Sequence, residues 1–291
     1  MTTRTIAVLI GDIKILHTIF ALPFALIATL LAVQQSWPSP GQIALIILCM
    51  FGARTWAMAI NRIADARFDA ANPRTALRAL PRGAAGPGQM MAFALFGASI
   101  FVTSAGLLSQ LALACSVPVL VILASYSYAK RITWICHFWL GLCLGLAPVA
   151  AWLAIRGTLN FPIALLGTGV MMWVSGFDIV YAMQDEDFDR RTGLRSIPAT
   201  FGRTRALWIA RVCHVLALGF FGSATALLGL GPIVVVGLAV AAGLLLWQHL
   251  ALAEKGNQAI PFAFFNLNAW VAIVLLAAVV LDLTIRRGLL P

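Results

Sequence analysis

The chain has 291 residues, of which 62% are hydrophobic and only 10% charged, and its mean hydropathy is +0.95. Soluble domains carry roughly a quarter of their residues as charges, so this composition excludes an ordinary water-soluble domain and points to an integral membrane protein. A net charge of +10 would suit a nucleic-acid partner, but the arginines stand in short connections between apolar segments. Membrane topology and anionic headgroups account for them there, and no nucleic-acid partner is expected.

At the N-terminus the apolar run from Ile6 to Ile10 is cut short by Asp12 and Lys14, with no small-residue cleavage site after it. No secretory signal is expected, and the first long apolar segment is read as a retained membrane helix. Crossing roughly 30 Å of hydrocarbon takes about 20 apolar residues. Segments of that kind predict helices over 15–33, 41–62, 90–108, 111–129, 134–154, 162–184, 205–228, 232–251 and 262–283, an all-α polytopic protein with nine spans. Gln34-Gln-Ser-Trp-Pro-Ser-Pro40 reads as a turn and Gly229-Leu-Gly-Pro232 as a tight connection. Two longer loops, 63–89 and 185–204, follow the second and sixth helices.

With the N-terminus inside, every one of the 20 basic residues except Arg156, Arg286 and Arg287 lies at an inner helix end or inner loop. That bias places both longer loops in the cytosol. The five cysteines, Cys49, Cys115, Cys136, Cys143 and Cys213, fall singly in apolar segments without metal-ligand spacing, and read as small buried hydrophobes.

Acids are scarce, and seven of the ten are Asp65, Asp69, Asp178, Asp185, Glu186, Asp187 and Asp189. Asn61-Arg-Ile-Ala-Asp65-Ala-Arg-Phe-Asp69 and Tyr181-Ala-Met-Gln-Asp185-Glu-Asp-Phe-Asp189 each set two aspartates four apart, which on a helix puts both carboxylates on one face. Like charges held so close repel, so the arrangement implies bound cations. Mg²⁺ takes oxygen ligands, uses one or two carboxylates and completes its octahedron with water and phosphate oxygens. Two such pairs suit a diphosphate bridged by two Mg²⁺. Arg74 and Arg78 after the first pair, and Arg190, Arg191 and Arg195 after the second, can neutralise remaining phosphate charge, although topology alone also explains them.

The two stretches echo one another. Asp65-Ala-Arg-Phe-Asp69 leads to Leu77-Arg-Ala-Leu-Pro81, and Asp185-Glu-Asp-Phe-Asp189 leads to Leu194-Arg-Ser-Ile-Pro198. The whole chain, 1–291, is expected to be one domain, with a duplicated four-helix unit (helices one to four and five to eight) plus a ninth helix. An even number of helices per repeat keeps both acidic faces on the same side of the membrane, where they can meet across one cavity.

Asp178 lies within the apolar run from Met171 to Ala182. An ionisable side chain at mid-helix costs about 2.5–3.5 kcal/mol on insertion scales, which marks such a position as functional and turned into the bundle. Arg54 is placed similarly, and with Met58, Asn61, Asp65 and Asp69 runs down one side of its helix; it either neutralises an internal acid or meets substrate. Tyr126, Tyr128 and Tyr181, the only tyrosines, are on the acidic side with Lys130 and Arg131. They are interfacial anchors or cavity-lining rings that stabilise a developing cation. His17, His137, His214 and His249 share no spacing and read as packed or interfacial. Gly141-Leu-Cys-Leu-Gly145 permits a close helix contact.

These motifs, with Asn72-Pro-Arg74-Thr-Ala-Leu-Arg78-Ala-Leu-Pro81-Arg-Gly83 and Asp178-Ile-Val-Tyr181, resemble the two aspartate-rich motifs of the UbiA superfamily of intramembrane prenyltransferases. The likeness runs from His17-Thr-Ile-Phe-Ala-Leu-Pro-Phe24 to at least Gly202. It implies nine helices around a central cavity open to the cytosol and laterally to lipid, and transfer of a polyprenyl group from an allylic diphosphate donor to an acceptor. By resemblance, Asn61, Asp65, Asp69, Asp185 and Asp189 hold two Mg²⁺ and the diphosphate, while Arg78 and Lys130 contact phosphate; Arg54, Arg74, Asp178 and Arg195, singled out by their positions, are expected in the same donor-binding environment. Tyr126, Tyr181 and Arg131 stand at the reacting centre, where Arg131 looks like the arginine that meets an aromatic acid's carboxylate. The run from Asp185 to Phe201 is most similar to 4-hydroxybenzoate polyprenyltransferases of ubiquinone synthesis and to relatives that prenylate a dihydroxynaphthoate for menaquinone. The implied location is a bacterial inner membrane, with the active site facing the cytoplasm. An ion-coupled transporter is the alternative of a different class; it would need acids near mid-bilayer and broken helices, whereas these acids sit mainly at one interface.

Overall fold

A computed structural model describes residues 3–33 and 36–287 of the chain. Among them the regular structure is helical throughout: α1 (Thr3–Asp12), α2 (Leu22–Ala32), α3 (Pro40–Ala71), α4 (Pro87–Leu108), α5 (Gln110–Ile132), α6 (Cys136–Arg156), α7 (Phe161–Ala182), α8 (Glu186–Thr192), α9 (Ile197–Phe201), α10 (Arg203–Leu227), α11 (Pro232–Lys255) and α12 (Asn268–Arg286). Eight helical segments of the described chain are long and apolar enough to cross a membrane, or nine if Ala7–Phe20 and Leu22–Ala32 count as one broken span.

Eight of the nine expected helices are present; α3 runs on past its expected end to Ala71, and the last begins with a wider helical turn over Phe262–Leu267 before α12. The first is corrected: instead of one helix over 15–33 there is a tight turn of helix at Ile15–Phe20, then α2 starting afresh with Pro23 in its first turn. Proline is tolerated only there, because it lacks the N–H that an interior position must donate. The apolar run from Ile6 to Ile10 lies within α1, which ends at Asp12. Of the turn expected over 34–40, Gln34 and Gln35 lie outside the described residues. The two long loops are also shorter than expected, since α3 continues to Ala71 and α8 and α9 occupy much of 185–204.

The chain forms two compact units. One contains α1, α3 from Ala44 onward, α4 and α5 as far as Ala129; the other contains α2 and everything from Lys130. The units do not follow the two sequence halves, because α2 packs with α6 and α12. In the first unit Leu9 and Ile13 of the N-terminal segment join Ala59, Ile60, Ala79, Met90 and Phe93 in one buried cluster. Gly52 and Gly97 let α3 and α4 touch backbone to backbone: a Cβ on Gly52 would lie 2.6 Å from the Gly97 carbonyl oxygen.

In the second unit α7 is the central helix, packed against α6 and α10. Gly141 and Gly145 make the close contact expected of them, with a Cβ at Gly141 falling 2.4 Å from the Met171 carbonyl oxygen and one at Gly145 2.5 Å from that of Gly167. Trp173 is fully buried among Phe20, Phe24 and Phe177. Its indole N–H donates to Asn268 Oδ1 at 2.9 Å, so the polar edge of the ring is satisfied within the apolar core.

Candidate active site

The first acidic motif lies in the C-terminal part of α3, one unbroken helix through Asp69, so Asn61, Asp65 and Asp69 share a face as the spacing predicts. Asn61 Nδ2 donates to Asp65 Oδ2 at 2.7 Å. Asp69 is buried, and Arg78 Nη1 donates to both of its carboxylate oxygens at 2.7 and 2.8 Å. The chain turns directly after the helix. Asn72 Oδ1 accepts the Arg74 N–H at 3.0 Å, and Thr75 Oγ1 donates to the Asp69 carbonyl at 3.2 Å, which brings Arg78 back to the carboxylate.

Two residues to which sequence pattern assigns no role hold this end of α3. Arg62 is buried, pairs through Nε with Asp12 Oδ2 at 3.2 Å, and donates from Nη1 to Asn61 Oδ1 at 2.9 Å. Asp12 Oδ1 accepts the Ala79 N–H at 3.2 Å. Asn61 is thereby oriented from both sides, its oxygen toward a guanidinium and its nitrogen toward Asp65. A signal was present in Asp12, an isolated acid in a segment otherwise apolar or basic. Arg54 is bonded to the backbone of the N-terminal segment: its Nη2 donates to the Ile13 and Lys14 carbonyls at 3.3 Å each.

The second motif departs from simple helical spacing. α7 stops at Ala182, Met183–Asp185 form a tighter turn, and Asp185 becomes the residue before α8. Asp185 and Asp189 are both buried, Asp189 completely. Lys130 Nζ lies 2.7 Å from Asp189 Oδ1, and Ser196 Oγ donates to Asp189 Oδ2 at 2.8 Å. Glu186 pairs with Arg190 on the exposed side of α8 at 2.8 Å.

Gly193, with φ of 71°, ends α8 in the left-handed conformation that glycine adopts without steric cost. The chain then returns against the end of α5. The Arg195 N–H donates to the Lys130 carbonyl and its Nη1 to the Ile132 carbonyl, both at 2.7 Å. Arg195 is thus bonded to carbonyls at the helix C-terminus, where a cation is favoured.

Asp178 meets a residue read as merely packed: His137 Nδ1 lies 2.7 Å from Asp178 Oδ2, with the imidazole almost wholly buried. Of the tyrosines, Tyr126 Oη approaches Met58 Sδ at 3.8 Å, Tyr128 is exposed, and Tyr181 is partly buried against the α7–α10 core. Arg131 is half-buried in the last turn of α5 and Arg74 is exposed.

Among the described residues no three His, Cys, Asp or Glu side chains converge as a ready-made metal cage. Each acidic motif instead supplies carboxylate oxygens, hard donors that fit Mg²⁺ when water and phosphate complete the shell; the Asn61 amide presents its nitrogen to Asp65 and its oxygen to Arg62, so it would have to turn over to join them. In each, a buried carboxylate is matched by a long basic side chain, Arg78 or Lys130, at 2.7 Å. These bases are suited to an anionic ligand as well as to the carboxylates that hold them.

The family model described as "UbiA prenyltransferase family" matches residues 21–281. The 4-hydroxybenzoate octaprenyltransferase of Sodalis glossinidius (strain morsitans) is 33% identical over 250 residues, covering 84% of each chain. That of Methylococcus capsulatus (strain ATCC 33009 / NCIMB 11132 / Bath) is 29% identical over 273 residues, covering 91% of this chain and 90% of the relative. Among solved structures, the apo structure of a UbiA homolog from Aeropyrum pernix K1 superposes with a TM-score of 0.84 at 35% identity, covering 92% of this chain and 98% of that one. A UbiA homolog from Archaeoglobus fulgidus bound to DMAPP and Mg²⁺ shares the fold with a TM-score of 0.69 at 14% identity, over 92% of this chain and 98% of that one. With the helical membrane architecture and both acidic motifs in place, the match over most of the chain is decisive: this protein belongs to the UbiA prenyltransferase family.

Proposed function

We propose that the protein transfers a polyprenyl group from an allylic polyprenyl diphosphate to the ring of 4-hydroxybenzoate, in ubiquinone biosynthesis. The observation that carries the acceptor is the name shared by its curated relatives, 4-hydroxybenzoate octaprenyltransferase, at 29–33% identity over most of each chain. Donor and metal are supported by the solved Archaeoglobus fulgidus relatives bound to DMAPP or GPP with Mg²⁺, and by the donor set of the two motifs.

In this reading Asp65, Asp69, Asp185 and Asp189, with Asn61, hold Mg²⁺, which when bound supplies positive charge against the departing diphosphate. Arg78 and Lys130 exchange part of their hold on Asp69 and Asp189 for phosphate oxygens, and Arg74 adds charge from the loop. Arg54 and Arg195 support the donor site through the backbone carbonyls they bind, and Asp178 through His137. Loss of diphosphate leaves an allylic cation; Tyr126 and Tyr181 offer ring faces that favour it, and a ring carbon of the electron-rich hydroxybenzoate attacks it, the displaced ring proton passing to the released diphosphate. Arg131 binds the acceptor's carboxylate. Each buried CH₂ contributes about 0.8 kcal/mol, so the polyprenyl tail stays in the bilayer during the reaction. The chain is one catalytic domain, and the enzyme lies in a bacterial inner membrane with its acidic motifs toward the cytoplasm, as the distribution of basic residues indicates.

The test is incubation of membranes containing the protein with a polyprenyl diphosphate, Mg²⁺ and either 4-hydroxybenzoate or a dihydroxynaphthoate, with products identified by mass. Prenylated hydroxybenzoate is expected. Product from the naphthoate alone would overturn the acceptor, and product from neither would overturn the reading.

A further inference from the structure

The pair made by the buried His137 and the partly exposed Asp178 touches none of the reacting groups just described, yet it is tied to Asp189 through a short series of hydrogen bonds. His137 stands in the first turn of α6 and is 2% exposed. Its Nε2 lies 3.2 Å from the Ile197 backbone nitrogen. An amide N–H can only donate, so Nε2 must accept and the imidazole hydrogen must sit on Nδ1, pointing to Asp178 Oδ2 at 2.7 Å. The ring is therefore held in one tautomer and one orientation by α7 on one side and by the start of α9 on the other.

Ile197 follows Ser196, the capping residue of α9, whose hydroxyl accepts the Ala199 N–H at 3.3 Å while donating to Asp189 Oδ2 at 2.8 Å. Ser196 and Asp189 are both fully buried. Ser175 Oγ, which donates to the Met171 carbonyl at 2.7 Å, also lies 3.3 Å from the His137 carbonyl, so α6 and α7 are close together one turn before Asp178. α6 and α7 are in backbone contact at Gly141 and Gly145, so the imidazole is mounted on a closely packed helix pair.

From this geometry, and resting on the metal-dependent reading above, we propose that His137 and Asp178 are positioning residues: by clamping the Ile197 N–H they set the Ser196 hydroxyl, and through it the rotamer in which Asp189 presents its carboxylate to Mg²⁺. Neither touches the reacting atoms. They act as outer partners of a metal ligand, of the kind whose loss typically weakens metal affinity about 10–100-fold.

Two amide replacements separate the clamp from mere space-filling. In His137→Gln the side-chain oxygen reaches the place of Nε2 and can still accept from Ile197; in His137→Asn the shorter amide reaches only the place of Nδ1, keeping a donor for Asp178 but leaving Ile197 without an acceptor. Mn²⁺ binding to the purified full-length enzyme with inorganic pyrophosphate, followed by electron paramagnetic resonance, is expected to weaken about 10-fold in His137→Asn. Ser196→Ala should match it, and His137→Gln should stay within about 2-fold of the parent. Half-saturation by Mg²⁺ should shift in the same order, with turnover recovered at saturating Mg²⁺. Hydrogen exchange of the 193–202 segment should rise in His137→Asn and not in His137→Gln.

Equal losses in the Gln and Asn variants, or unchanged Mn²⁺ binding in His137→Asn, would overturn the proposal. If the parent enzyme itself bound no Mn²⁺, the metal-dependent reading would fall and the metal-positioning role with it. The exchange measurement would then still decide whether the clamp on Ile197 exists.

Discussion

At the level of single residues, both motifs match a buried carboxylate with a nearby base; the neutral hydrogen-bonding neighbour falls on that same carboxylate in the second motif and on the other aspartate in the first. Asp69 has Arg78 and Asp189 has Lys130 at 2.7 Å, while Asn61 bonds Asp65 and Ser196 bonds Asp189. Replacing Asp65 or Asp185 by Ala should lower prenyl transfer about 10²-fold or more, because stabilising a developing charge commonly contributes more to catalysis than any other single effect. Turnover by correctly inserted variants, checked by protease protection, measures this; wild-type rates would show that the motifs are not the reacting centre. Arg131→Ala should raise the Michaelis constant for the aromatic acid roughly 10- to 100-fold, in line with about 1.5–3 kcal/mol for a charged hydrogen bond, while that for the prenyl diphosphate stays near its original value. Equal losses for donor and acceptor would remove Arg131 from the acceptor site.

Helices and their ends decide whether those residues can work together. α3 carries its motif on an unbroken helix, and Arg62 ties it to Asp12 and thereby to the turn at Ala79. Breaking a buried ion pair by removing one partner costs about 3–5 kcal/mol. Arg62→Ala should therefore lower the midpoint of thermal unfolding in detergent, whereas substitution of the exposed Arg190, paired with Glu186 at the surface, should change it little. α6 and α7 offer a second check: a side chain at Gly141 meets the Met171 carbonyl at 2.4 Å, and forcing such an approach costs about 1–3 kcal/mol. Gly141→Leu should be less stable than the parent by at least that order in the same assay, and unchanged unfolding would contradict the packing.

For the molecule as a whole, composition and the placement of basic residues predict a polytopic protein with both acidic motifs on one side of the membrane. Cysteines introduced at Gly83 and Arg191 in a background without the five native thiols should react with an impermeant maleimide only once the cytoplasmic face is made accessible. Labelling of either from outside would reverse the topology. Removing divalent metal with a chelator should abolish prenyl transfer, and adding Mg²⁺ back should restore it, since the all-oxygen donor set of the motifs is matched to a hard cation.

Much of the protein was legible in its sequence. Eight spans follow from the length of apolar runs, because a bilayer demands a minimum helix length and full internal backbone pairing, and the two acidic motifs follow from the rarity of acids in such a chain. The break before α2, the tighter turn at Met183–Asp185 and the links from Asp12 to Arg62 and from His137 to Ile197 do not follow from it. Spacing reports which residues share a helix face, but those links belong to networks joining groups up to 67 residues apart, and only packing brings them into contact. A histidine with no motif around it was unremarkable as sequence; the backbone N–H on one side and the carboxylate on the other gave it a role, and both were set by tertiary structure.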